Sequence, residues 1–117
     1  MNDIETVNAD EITSNCHVFV DGSTRCRENL LSVTIGRGIY LPGWRWSLHA
    51  GPQSGRDSER HIGWVVSGRM TVLTANNHEV IVGPGDFFEV GPNHDAWVLG
   101  DEPCVALDID RLTEPSD

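Results

Sequence analysis

The chain has 117 residues and a formal net charge of −10, enough length for one domain around one hydrophobic core. A hydrophobic fraction of 38 % with four Trp excludes an intrinsically disordered chain. The acidic balance disfavours nucleic acid and membrane surfaces as partners, and the absence of Lys (all eight basic residues are Arg) removes Schiff-base and P-loop chemistry.

Residues 1–13 are polar and acidic and are expected as a flexible end or an edge strand. They lack the apolar stretch of a secretory signal, and no apolar run reaches the roughly 18 residues of a membrane span. A cytoplasmic chain with no membrane or nucleic-acid partner is therefore expected. Three cysteines (Cys16, Cys26 and Cys104) without a CxxC pair argue against a disulfide framework or a thiolate zinc site. The thiols are expected reduced, with Cys26 at the surface and Cys104 in the core.

A β-domain is expected over 14–111, followed by a flexible tail, 112–117. Cys16–Val20 reads as a strand closed by the Asp21-Gly22 turn. Leu30–Ile35 is β-branched and stops at Gly36, and Gly38–Leu41 leads into Pro42-Gly43. Trp44–Ala50 reads as a strand, followed by a loop from Gly51 to Arg60. His61–Ser67, Arg69–Thr74, Glu79–Val82, Asp86–Val90, Asp95–Leu99 and Pro103–Ile109 complete the set. Asn76-Asn77 marks a hairpin turn, and Gly83-Pro84-Gly85 and Gly91-Pro92-Asn93 mark two others. Short strands at a spacing of about ten residues predict an all-β antiparallel sandwich or small barrel.

Of five histidines, His17 and His78 have no informative placement. His49, His61 and His94 each fall at the expected end of a strand. Three such imidazoles can converge in a barrel mouth and bind one divalent transition metal with coordination positions left open. Three unrelated histidines is the alternative. Alternation along a strand puts Arg45 and Ser47 on the face of His49, and makes Arg45 a candidate substrate anchor. By the same rule Val65 faces in with His61, and Ala96 and Val98 face in with His94. The four Trp read as core or dimer-face residues, with an aromatic substrate cage as the sharper alternative.

The stretch Pro42–Asp108 resembles the cupin superfamily. Gly43, the five residues WRWSL and then His49 match the opening of the first cupin motif. His61, IGWVVS and Gly68 match its closing spacing, and GPGDFFEVGPNH supplies the second motif with His94. The chain departs from the pattern at Gly51, where a second His is usual, and at His61, which stands where a Glu is usual. Val98 also stands where an Asn is usual. The resemblance implies an antiparallel double-stranded β-helix, or jelly-roll barrel. It further implies one divalent metal (Zn, Fe, Ni, Mn or Cu) on His49, His61 and His94, with Glu59 or Gln53 as a possible additional ligand. The activity implied is that of a metal-dependent enzyme on a small organic molecule, of dioxygenase, isomerase, lyase or cyclase type. A non-catalytic ligand- or metal-sensing module is the alternative, and a homodimer is the expected assembly.

Overall fold

The structure is a computed structural model that describes residues 3–54 and 60–111. Among the described residues, nine strands form two antiparallel sheets. They are β1 (His17–Val18), β2 (Thr24–Asn29), β3 (Val33–Tyr40), β4 (His61–Ser67), β5 (Arg69–Leu73), β6 (Glu79–Val82), β7 (Phe87–Val90), β8 (Asp95–Leu99) and β9 (Cys104–Arg111). The larger sheet runs β1-β2-β3-β9-β4-β7 and the smaller β6-β5-β8. Their inner faces enclose the core. Val65, Val90 and Cys104 come from the larger sheet, and Met70, Val72, Val82, Ala96 and Val98 from the smaller. The expected all-β jelly-roll architecture is the one observed. No helix among the described residues is long and apolar enough to cross a membrane.

Alternation places the β4 side chains as expected. Val65 is 1 % exposed and points inward, while Trp64 points outward and stacks on Phe87 with ring centroids 5.7 Å apart. In β8, Ala96 and Val98 are buried, which leaves Asp95 and Trp97 on the other face. The turn after β5 carries Asn77 at φ 65°, a left-handed conformation that Asn tolerates better than most residues.

Four local expectations are corrected. First, Leu30–Ile35 and Gly38–Leu41 are not two strands separated by a glycine stop. Their residues from Val33 to Tyr40 form one eight-residue strand, β3, which passes through Gly36 and Gly38 without a break, and residues 30–32 and Leu41 lie outside it. Second, Thr24–Asn29, polar and unremarkable in sequence, pairs along its whole length with β3. Third, Trp44–Ala50 is not a strand. Only Arg45 bridges to Trp97, and Trp46–Ala50 then winds into a wide π-type turn, continued by a helical turn at Gly51–Ser54.

Fourth, Cys16 and Cys26 form a disulfide. The hairpin register explains it, because His17 pairs with Arg25 and the next pair outward is Cys16 with Cys26, with Cα atoms 3.9 Å apart. An odd cysteine count says nothing against one such pair. Cys26 is also buried rather than at the surface, whereas Cys104 is the buried core thiol expected.

The N-terminal segment is held against the β2–β3 face beside this disulfide. Ile12 is fully buried, and the Arg37 guanidinium donates to the carbonyls of Ala9 and Ile12. A single 3₁₀ turn spans Ala9–Glu11, capped by Asn8. The tail expected over 112–117 lies outside the described residues.

Candidate functional site

A cavity of about 260 Å³ lies inside the barrel. Its walls combine an aromatic set with two groups of polar side chains. Tyr40, Trp44, Trp46 and Phe88 supply most of the aromatic surface. Tyr40 and Trp44 are in contact, with ring centroids 4.5 Å apart.

The first polar group is a pair of imidazoles. His61 opens β4, and His94 follows the Gly91-Pro92-Asn93 turn, where Asn93 takes φ 62° and redirects the chain into β8. Their ring centroids are 5.0 Å apart, and Phe88 packs edge-on against His61 at 5.7 Å. His94 is 6 % exposed, and its Nδ1 lies 2.8 Å from the Gly91 carbonyl oxygen. A carbonyl can only accept, so Nδ1 carries the proton and Nε2 is the basic nitrogen of the neutral ring. Burial holds the His94 pKa below the ordinary 6.5, and repulsion from His61 adds to the shift against the Gly91 hydrogen bond, which opposes it.

The second polar group lies across β2, β3 and β9. Arg25 donates through Nε to Asp108 Oδ2 at 2.9 Å and through Nη2 to Asp108 Oδ1, a bidentate pair. Asp110 lies 3.5 Å from the same Nη2. Burial alone would lower the Arg25 pKa, but the Asp108 carboxylate outweighs it and holds the guanidinium charged. Burial likewise pushes the Tyr40 hydroxyl well above its usual range, so it stays protonated.

Two glycines make this arrangement possible. A Cβ at Gly36 would stand 2.5 Å from Asp108 Oδ1 and 2.6 Å from Arg25 Nη2, and one at Gly38 would overlap the Tyr40 ring. Close approach of side chains, not backbone flexibility, is what places glycine in the middle of β3. Sequence reading missed Arg25, Tyr40 and Asp108. The one signal for them was a pair of glycines spaced two apart in a β-branched segment, where Gly36 read as a strand stop and Gly38 as the start of the next strand.

The other expected site residues lie elsewhere. His49 sits in the π-type turn and is not in the cavity wall, and its Nδ1 accepts the backbone N–H of Arg45 at 3.0 Å. The alternation argument for Arg45 fails with the strand that carried it. The Arg45 guanidinium is bound to Asp95 at 2.8 Å and lies 4.4 Å over the Trp97 ring, outside the cavity. Glu59 lies outside the described residues, as does the side chain of Gln53.

The structure therefore brings together two of the three expected imidazoles. Among the described residues no three His, Cys, Asp or Glu side chains are placed to hold a metal ion. A catalytic metal centre takes three protein donors. The carboxylates nearest the cavity, Asp108 and Asp110, are directed at Arg25. The donor set described does not fit the expected three-histidine metal centre.

Solved structures share the fold. A sugar phosphate isomerase of the cupin superfamily from Silicibacter pomeroyi is similar with a TM-score of 0.68 at 15 % identity, covering 93 % of this chain and 76 % of that one. A polyketide cyclase from Streptomyces resistomycificus is similar with a TM-score of 0.65 at 12 % identity, covering 96 % and 82 %. A cupin-like protein from Thermotoga maritima gives 0.61 at 19 % identity, covering 84 % and 73 %. At these identities the likeness shows the fold alone. No curated protein matches the sequence. The model of the cupin domain family (Cupin_2) matches residues 44–110, more than half of the chain, and with the two-sheet barrel above it establishes that this protein belongs to the cupin family.

Proposed function

We propose that the chain binds a small organic carbonyl compound in the barrel and acts on it by proton transfer, as an isomerase or cyclase does. The observation that carries this reading is the His61–His94 pair, 5.0 Å apart in the wall of the cavity. A buried imidazole with a lowered pKa, as at His94, is suited to taking a proton near neutral pH. In the proposed step His94 Nε2 takes a proton from the carbon next to the carbonyl. The resulting enolate takes a proton back from the imidazolium, at the same carbon in a simple ketone, which gives solvent exchange, or at the former carbonyl carbon of an α-hydroxy carbonyl once a proton has moved between the two oxygens of its enediolate, which gives an isomerisation with no redox partner. The aromatic walls exclude water and pack against the body of the substrate. The fold neighbours named above include an isomerase and a cyclase, which accords with this class of chemistry.

Incorporation of solvent deuterium next to the carbonyl tests the proposal. NMR would follow 1-tetralone and dihydroxyacetone phosphate in D₂O. Wild-type protein is expected to accelerate exchange in at least one of them. His61→Asn and His94→Gln are each expected to lower that rate by about 10²-fold or more. Binding without any exchange would instead make the chain a non-catalytic ligand-binding module. Equal rates in wild type and both variants would sink the proposal.

A further inference from the structure

The polar cluster on β2, β3 and β9 lines the same cavity as the imidazole pair and is not used in the step above. We propose that Arg25, held by Asp108 over Gly36, is the recognition group for the carbonyl oxygen of an uncharged, aromatic substrate, and that the site discriminates against phosphorylated ones. This inference names the substrate class for the function proposed above and rests on that reading.

Two observations carry it. The first is the charge balance. Among the described residues, two guanidiniums (Arg25, Arg60) and two carboxylates (Asp108, Asp110) line the cavity, and their formal charges cancel. Two of the three guanidinium nitrogens of Arg25 are already engaged by Asp108. No described residue engages Nη1, which remains a fixed hydrogen-bond donor carrying little uncompensated charge. Such a donor suits a neutral carbonyl or an enol. A phosphate dianion needs net positive charge, and it would meet two carboxylates here and a chain of net charge −10 around them.

The second observation is the wall. Tyr40, Trp44, Trp46 and Phe88 present rings on which a planar conjugated body can pack, and this is surface that a hydrated sugar does not use as well.

Gly36 and Asp108 are positioning residues in this scheme. They act through Arg25 by fixing where its donor points and by cancelling its charge. That assignment makes a prediction opposite to simple damage, because Asp108→Asn removes a negative charge and should create affinity for an anion.

Calorimetric titration of the whole chain with 1-tetralone (an uncharged aromatic ketone) and with ribose 5-phosphate tests the inference. Wild type is expected to bind 1-tetralone and to show no saturable binding of ribose 5-phosphate over the same concentration range. Arg25→Met should weaken 1-tetralone binding about tenfold. Because this variant leaves Asp108 unpaired, Arg25→Met with Asp108→Leu serves as the folded control, and it should show the same loss. Asp108→Asn should gain binding of ribose 5-phosphate.

Preference of the wild type for ribose 5-phosphate would overturn the inference. So would unchanged 1-tetralone affinity in the folded double variant, or no phosphate affinity in Asp108→Asn. The proton-transfer reading is tested on His61→Asn and His94→Gln, which leave Arg25 and Asp108 in place. A failure of the recognition site and a failure of the proton-transfer reading are therefore read from different variants.

Discussion

At His94 burial pulls against a hydrogen bond. Removal from water and the neighbouring His61 lower its pKa, while the Gly91 carbonyl favours the protonated ring; burial wins. Linkage then sets the sign. The unfolded chain binds a proton at His94 near pH 6.5, whereas the folded chain resists it until lower pH. Stability is therefore fully present above pH 6.5 and is lost as pH falls below it toward the folded pKa. An NMR titration of the imidazole is expected to give a midpoint below 6.5. Urea unfolding at pH 7.5 and 5.5 is expected to show the lower stability at 5.5, by an amount that His94→Gln reduces. The same residue shows what spacing can and cannot reveal. Its place after a Pro-Asn turn marked it as a site residue, but its basic nitrogen is chosen by a carbonyl three residues back.

At the scale of elements, the β1–β2 hairpin and the π-type turn were the segments least legible in sequence. In β2, the run TRCREN has few β-branched residues, and full pairing with β3 overrides its weak local preference. The same pairing aligns Cys16 with Cys26, ten residues apart, and so creates a cross-link that residue counting did not suggest. Closing a loop of this length stabilises a fold by about 2–3 kcal/mol in the chain-entropy model. Thermal unfolding with and without dithiothreitol is expected to show a lower Tm on reduction. A Cys16→Ser, Cys26→Ser double variant should match the reduced protein and no longer respond to the reagent. The π-type turn has a different origin. Asp95 accepts from the Arg45 guanidinium, the Ser47 hydroxyl and the Ser47 backbone N–H, which ties Trp46–Ala50 down as a turn against β8. That contact spans 48 residues and more of sequence, so alternation within 44–50 could not report it. His49 and Arg45 left the expected cavity face for this reason.

Across the whole molecule, the larger sheet shows water an apolar outer face. Ile62, Val66 and Ile109 are exposed there, and Phe87, stacked on Trp64, is 73 % exposed. Contiguous apolar patches on an otherwise charged surface mark association sites. We retain the expected homodimer as a proposal, with a second copy of the chain on this face. Like net charges of −10 oppose the association and salt screens them, so the dimer fraction should rise with ionic strength. Sedimentation velocity at 0.05 and 0.5 M NaCl checks this. Phe87→Asp is expected to give a monomer at both, and a monomeric wild type at high salt would refute the assignment.

The sequence by itself determined the fold class, the inward and outward faces of β4 and β8, and the nomination of His61 and His94. These follow from two-residue alternation and turn chemistry, which act over a few residues and are written in residue type. Only the tertiary structure decided which polar groups share the cavity. Arg25, Gly36 and Asp108 stand on three adjacent strands, and the bond between Arg25 and Asp108 spans 83 residues of chain. Register between strands sets that meeting, and register is a property of the assembled sheet that no local pattern in 24–29 or 104–111 expresses.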